Sequence, residues 1–367
     1  MQASARIWRH FDVWLLAVVS MLTIAGVALI QSAIGGNENL AELVPRQAIY
    51  ATIGLVVVIA LAAIDYRLWS ALTRPIYLVT LALLGLILAA GFVGFGSARW
   101  FNVGIAYIQP SEVAKIGLIL VLSDYFSRHR EEVGQLRTIL RSILLASLPA
   151  ALVFLQPDLK TTIILVVIWF SLAFVAGMSA KHLAGLALAA VFVPALAWPM
   201  LQNYQRGRII QFVFPDPNAQ WGDTYNVNQA RIAIGSGGWF GEGYGAGTQV
   251  QLRFLKVRHT DFIFSVISEE FGFIGAVIIL ALLTFVIFRC LRAARLSRDT
   301  FGSLICYGVA VLLTLQMTFN VAMNLNLFPV SGLTLPFLSY GGSSLLANLL
   351  GIGLVESVIL RQKRIEF

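Results

Sequence analysis

The sequence is short of charge. Only 12% of its 367 residues are Asp, Glu, Lys or Arg, where a soluble domain carries about 25%. A chain of this length with 58% hydrophobic residues cannot gather them into one aqueous core, so a soluble fold is excluded and an integral membrane protein remains. Cysteine is almost missing. Cys290 and Cys306 are the only two, and neither belongs to a CxxC pair, so there is no disulfide framework or zinc site. No Gly-Lys-Ser/Thr phosphate loop occurs, and no strand–helix unit of a dinucleotide-binding fold surrounds the one glycine-dense stretch. Acidic residues number 18 against 26 basic ones. The resulting charge of +8 is accounted for by basic cytoplasmic loops, not by nucleic acid as a partner. The first apolar run is too long for a signal-peptide core and lacks a small-residue cleavage site, so an uncleaved first helix is expected.

Long apolar runs are what the chain has in abundance. A helix needs about 20 apolar residues to cross the hydrocarbon core. Runs of that kind lie at 12–34, 46–64, 72–94, 110–127, 138–155, 160–177, 182–200, 262–288, 301–325 and 337–360. Continuous runs in lipid must be helical. The expectation is therefore an all-α, polytopic membrane protein of about ten transmembrane helices, with residues 1–367 as a single membrane domain. Sixteen of the 26 Lys and Arg residues fall on one side, at the two termini and in the loops holding Arg67 and Arg74, Arg128 to Arg141, Lys181, and Arg289 to Arg298. That asymmetry places both termini in the cytoplasm. The longest connection, 201–261, between the seventh and eighth runs, then lies outside, and a connection of that length is often functional.

This outer segment has three parts. Residues 202–220 are polar and carry Arg206 and Arg208. Residues 225–234 read as a short amphipathic helix with Gln229 and Arg231. Residues 235–247 contain seven glycines, which serve either as a flexible turn or as a backbone cradle for a phosphate. Next comes Gln251-Leu-Arg-Phe-Leu-Lys-Val-Arg258-His259-Thr-Asp261. Basic side chains beside the bilayer suit an anionic lipid headgroup, whether of ordinary membrane lipids or of a pyrophosphate-linked substrate. Thr260 or Asp261 reads as the N-cap of the eighth helix, or else as a functional carboxylate at the membrane boundary.

Ionisable groups at membrane depth are costly and functional by default. Glu112 and Lys115 stand one helical turn apart and can pair, with Pro110 suited to the first turn. Asp158 and Lys160 follow Gln156-Pro157. Glu269 and Glu270 lie further down the eighth helix. Asn320, Asn324 and Asn326 sit at the end of the ninth, and Ser339-Tyr-Gly-Gly-Ser343 in the first turns of the tenth. Each cluster serves a structural ion pair or close helix packing as readily as a site. Their shared outer-half location points to one polar cavity opening outward.

These motifs, in this order, resemble the SEDS (shape, elongation, division and sporulation) family along essentially the whole chain. The carriers are Ser97-Ala-Arg99-Trp100, Gln109-Pro-Ser-Glu-Val-Ala-Lys115, Gln156-Pro-Asp158-Leu, Gly247-Thr-Gln249, Arg258-His-Thr-Asp261 and Leu338-Ser-Tyr-Gly-Gly-Ser343. Within the family the elongation branch fits best. The resemblance implies a membrane peptidoglycan glycosyltransferase that polymerises lipid II. Its partners would be a class B penicillin-binding protein transpeptidase and other elongation-complex proteins. It implies Asp261 as the catalytic carboxylate. Arg99, Glu112, Lys115, Asp158, Arg206, Arg208, Arg258, His259, Ser339 and Ser343 become substrate-binding candidates. Two departures stand out: Lys160 where the family has Gly, and Lys256-Val257 where it has Pro-Glu. The first puts an extra cation near Asp158, and neither is expected to touch Asp261.

One difficulty comes with that assignment. A helix N-terminus and nearby arginines should lower the pKa of Asp261 and weaken it as a base. Either burial raises it again, or Asp261 holds a divalent cation, Mg or Mn, that activates the hydroxyl. No other cofactor is expected. A lipid II flippase and a non-catalytic scaffold of the elongation complex are the alternative functions. The first would favour internal repeats, and the chain shows none that convince.

Overall fold

The computed structural model describes residues 10–35, 37–90, 92–94, 97–102, 107–216 and 221–362. Each of the ten apolar runs is a helix. They are α1 (Val13–Ile34), α2 (Leu43–Ala63), α3 (Arg67–Ala90), α4 (Pro110–Arg128), α5 (Leu136–Leu155), α6 (Leu159–Ala176) and α7 (Ala180–Ala197), followed after the outer segment by α11 (Ile263–Leu296), α12 (Thr300–Asn324) and α13 (Gly342–Ile359). Among the described residues, eight of these are long and apolar enough to cross a membrane; α4 falls outside that set. α4 carries Glu112, Lys115, Asp124 and Arg128, charges that are paired within the helix.

The helix ends follow local chemistry. Asp12, Asp158 and Asp299 each accept a first-turn backbone N–H, of Leu15, Thr161 and Gly302 respectively, which satisfies donors that the helix itself leaves unpaired. Pro110 opens α4, where its missing N–H costs nothing. α13 is the most enclosed of the eight, packed along α2 and α12. Gly54 and Gly353 let α2 approach it closely, because a Cβ at either would collide with Leu349 or Leu61.

The all-α architecture has one addition. Strands β1 (Phe92–Gly94), β2 (Ser97–Asn102) and β3 (Tyr107–Ile108) form a small antiparallel sheet between α3 and α4. The outer segment is helical rather than loop-like, with α8 (Asn203–Val213), α9 (Gly222–Ser236) and the single turn α10 (Thr248–Gln251). α9 is the expected amphipathic helix. α8 falls in the stretch that is merely polar in the sequence, and Gln202 and Gln205 form a capping box at its start.

Contacts sort the helix ends into two sets. At one end Arg289 bonds Asp12 at 2.6 Å, Arg67 bonds Asp299 at 3.2 Å and Arg361 bonds Asp65 at 3.3 Å. At the other end Arg258 meets the last carbonyls of α1, Gln156 bonds Leu84, and Ser343 bonds Gln109. The basic loops that set the orientation rule thus lie opposite the turn carrying Asp261.

Candidate active site

The glycine-dense stretch is not a phosphate cradle. α11 is broken at Gly272, whose φ of +66° places it in the left-handed region that glycine adopts without steric cost. The break leaves backbone groups without helical partners, and residues 238–243 supply them. Glu242 and Gly243 donate to the carbonyls of Glu269 and Glu270 at 2.9 and 3.0 Å, and Phe273 and Ile274 donate to Gly238 and Trp239 at 2.8 and 3.2 Å. The side chains of Glu269 and Glu270 finish the clasp. Glu269 accepts from the Gln249 N–H at 2.7 Å, and Glu270 accepts from the Ser32 hydroxyl. These two carboxylates secure a loop instead of lining a cavity.

Asp261 is held differently from the N-cap role the sequence allowed. α11 begins at Ile263, and its N-cap, Phe262, offers no side-chain bond. The correction has a consequence: the carboxylate of Asp261 caps no helix. Its backbone is fixed instead. The Asp261 carbonyl accepts from Asn320 Nδ2 and Asn324 Nδ2, both at 3.0 Å, and its N–H donates to Val257 at 3.2 Å. Asn324 is itself oriented by Ser265, whose hydroxyl donates to Oδ1 at 2.6 Å. Ser339 stands in the loop before α13, not in its first turns. Its hydroxyl donates to the Thr260 carbonyl at 2.7 Å and accepts from the Leu335 N–H at 2.8 Å. The Tyr340 N–H donates to the His259 carbonyl at 2.8 Å. Two strongly buried asparagines and a serine therefore lock the turn. Burial raises the pKa of Asp261, while Lys160 and then Arg208 pull it back down. Burial, and secondarily Arg258, push His259 down to about 4, so its ring is neutral near pH 7.

Several candidates have other partners. Arg258 is almost fully buried and donates to the carbonyls of Ala33, Ile34 and Leu255. It caps the C-terminus of α1, where a cation is favoured, and is a structural strut rather than a phosphate ligand. Arg206 donates to Trp198 and Pro199 carbonyls at 3.1 and 2.8 Å. Glu112 and Lys115 form a buried pair at 2.7 Å. Asp158 caps α6 and also accepts from Thr161 Oγ1 at 2.9 Å and Gln109 Nε2 at 3.1 Å. Ser343 links the start of α13 to β3 and α4, accepting from Gln109 N–H at 3.0 Å and donating to the Tyr107 carbonyl at 3.1 Å. The side chain of Arg99 lies outside the described residues.

Two groups do gather at Asp261. Arg208 acts on it from α8 and is paired with Asp223 of α9 at 3.1 Å. Lys160 reaches it from α6, contrary to the expectation that it would stand by Asp158. Its ammonium donates to the Gly332 carbonyl, and the point where a Cβ on Gly332 would stand is 3.5 Å from Lys160 Nζ and 3.5 Å from Asp261 Oδ2. Arg208 and Asp223 also line a cavity of about 340 Å³ with Gln211, Phe212, Asn228 and Phe328. That mixture of amides, charges and aromatic faces suits a sugar. Sequence reasoning missed Gln211, Asn228 and Phe328, which have no pattern to announce them. The donor set around Asp261 does not suit a divalent cation. Cations surround the carboxylate, Asp223 is committed to Arg208, and no group of three or more His, Cys, Asp or Glu side chains that could hold a metal occurs among the described residues.

The chain is similar to known proteins along nearly its whole length. The chain is 35% identical over 356 residues to the peptidoglycan glycosyltransferase MrdB of Escherichia coli K12, covering 96% of this chain and 95% of that one. Its fold superposes on a chain of a solved peptidoglycan synthase complex that coordinates polymerisation and crosslinking, with a TM-score of 0.81, 31% identity and coverage of 95% and 97%. It superposes on the rod-shape-determining protein RodA of Thermus thermophilus with a TM-score of 0.73, 30% identity and coverage of 96% and 98%. A model of the FtsW, RodA and SpoVE cell cycle proteins matches residues 8–364, and the chain belongs to that family.

Proposed function

We propose that this chain is a peptidoglycan glycosyltransferase of the bacterial plasma membrane, polymerising lipid II into glycan strands during cell elongation. The observation that carries the reading is the turn at Asp261. Its backbone is clamped by Asn320 and Asn324 while its carboxylate, clear of any capping duty, stands beside Lys160 and Arg208. Fixed geometry around a basic oxygen is what a general base requires. The activity named for the relative MrdB and the polymerising complex of similar fold support the same reaction class.

In the reaction a GlcNAc 4-hydroxyl attacks C1 of a MurNAc carried on polyprenyl diphosphate. The new C1–O bond forms as the C1–O bond to diphosphate breaks, inverting the anomeric centre. The hydroxyl proton passes to Asp261, and the electron pair leaves on the diphosphate. Burial raises the basicity of Asp261, which removes the difficulty posed by an aspartate at a helix N-terminus. The cavity beside Arg208 and Asp223 accommodates sugar. The basic loops at the far end face the cytoplasm by the positive-inside rule, so Asp261 faces outward. A class B transpeptidase is the partner that the similar polymerising and crosslinking complex favours.

The test is Asp261→Asn, purified in full length and supplied with lipid II. A loss of about 10³-fold in polymer formation is expected, with the melting temperature unchanged. Polymerisation near the wild-type rate removes Asp261 from the mechanism. Polymer formation by the wild-type protein itself separates a transferase from a flippase or a scaffold.

A further inference from the structure

Among the described residues, the cations that the sequence nominates for the departing diphosphate are engaged elsewhere. Arg258 is engaged by three carbonyls of the protein, Arg208 is held by Asp223, and Lys115 is held by Glu112. Arg206 is turned toward the Trp198 and Pro199 carbonyls. Lys160 differs in having a single partner among the described residues. Its one hydrogen-bond partner is the neutral carbonyl of Gly332, and among the described residues no carboxylate oxygen lies within ion-pair distance of it. An ammonium has three donors, so the Gly332 tether fixes its position and leaves two N–H groups for another ligand. It is also close to the proposed base. Lys160 Nζ and Asp261 Oδ2 flank the same face of Gly332, apart by no more than twice the 3.5 Å that separates each from the Cβ position there. A base acting on the nucleophile and a cation acting on the leaving group must both reach one reacting carbon, and that bound keeps the two within reach of a single substrate.

We propose that Lys160 is a catalytic residue of this chain, binding the diphosphate of the lipid-linked donor and stabilising the negative charge it gains as the C1–O bond breaks. The inference rests on the glycosyltransferase reading and on Asp261 as base. The step balances without a metal. The 4-hydroxyl oxygen bonds to C1, its proton moves to Asp261, the bonding pair of the old C1–O bond goes to the diphosphate, and the ammonium of Lys160 hydrogen-bonds that oxygen anion. A fixed cation aimed where charge develops lowers the barrier without reorganisation. The donor set around Asp261, two cations and a committed carboxylate, agrees with a protein ammonium in the place where a divalent ion was expected.

The test compares Lys160→Met, which keeps the length and removes the charge, with Lys160→Arg, which keeps the charge. Both are measured as full-length protein with lipid II across pH. Lys160→Met is expected to lower kcat about 10–100-fold with KM changed less than about threefold, and Lys160→Arg to recover most of the loss. The pH profile should move as well. Asp261 is faced by Lys160 from α6, Arg208 from α8 and Asp223 from α9, and Lys160 is the first of the charges that hold its pKa down. Losing that charge raises the pKa, so the acid limb of kcat/KM shifts to higher pH. A Lys160→Met enzyme within about twofold of wild type overturns the proposal. So does equal loss in Met and Arg variants with the acid limb unmoved, which is the signature of a structural tether. Asp261→Asn measured alongside keeps the two readings apart. If it is inactive while Lys160→Met is normal, only the role of Lys160 fails. If it is active, the assignment of Asp261 itself fails.

Discussion

Two aspartates at the same end of the molecule look alike in the sequence. Asp158 precedes α6 and Asp261 precedes α11, and each stands in a polar motif just before an apolar run. The structure separates them by what their carboxylates do. Asp158 is almost fully buried, and its oxygens accept from Thr161 and Gln109. It cannot take a proton from substrate without dismantling the junction between α4 and α6. Asp261 has the opposite division of labour. Its main chain is bound by two asparagines, and its side chain faces Lys160 and Arg208 with the Thr260 hydroxyl as its hydrogen-bond partner. A residue whose side chain stabilises the fold and a residue whose fold stabilises the side chain can occupy the same kind of position. Only tertiary contacts distinguish them.

Substitution sharpens that contrast most strongly at the two aspartates themselves. Asp261→Asn should cost about 10³-fold in rate and almost nothing in stability. Asp158→Ala should do the reverse, removing a cap and leaving buried donors of Thr161 and Gln109 unsatisfied, at about 3 kcal/mol. Thermal unfolding in detergent measures the second, and the rate per folded molecule should stay within a few-fold of wild type. A rate collapse in Asp158→Ala without loss of stability would break the comparison. The asparagines come next. Asn324→Ala removes a donor to the Asp261 carbonyl and the acceptor of the Ser265 hydroxyl. The base then loses part of its fixed position, and kcat should fall about tenfold with KM nearly unchanged.

Much of the architecture was legible because the apolar runs are long and continuous: all ten appear as helices with boundaries shifted by a few residues, apart from longer shifts at the start of α3, the C-terminal end of α11 and the start of α13. The motif that nominates Asp261 was readable too, because it is carried on adjacent residues. What stayed hidden depends on chain segments far apart. Arg258 looks like a phosphate ligand until the end of α1, 225 positions away, is placed against it. Lys160 looks like a neighbour of Asp158 until the loop at Gly332, 172 positions away, brings it beside Asp261. The clasp formed by the glycine-dense stretch exists only because α11 breaks at Gly272, and a lone glycine in a long apolar run carries no such signal.

The smallest of these effects falls on the contact that joins the two halves of the site. Gly332 has a φ of +71°, and a Cβ added there would meet Asp261 and Lys160 at ordinary van der Waals distance rather than in a clash. Gly332→Ala therefore strains the backbone more than it crowds the side chains, by about 1 kcal/mol. The chain relieves that strain by turning the 332 peptide, and the carbonyl that anchors Lys160 turns with it. The Asp261 carbonyl is tied to α12 and has no reason to move. The variant should accordingly lose about three- to fivefold in kcat and little stability. Its acid limb should shift in the same direction as that of Lys160→Met, but by less. An unshifted acid limb with unchanged kcat would mean that the lysine holds its place without the Gly332 carbonyl, and that the two halves of the site are not mechanically joined.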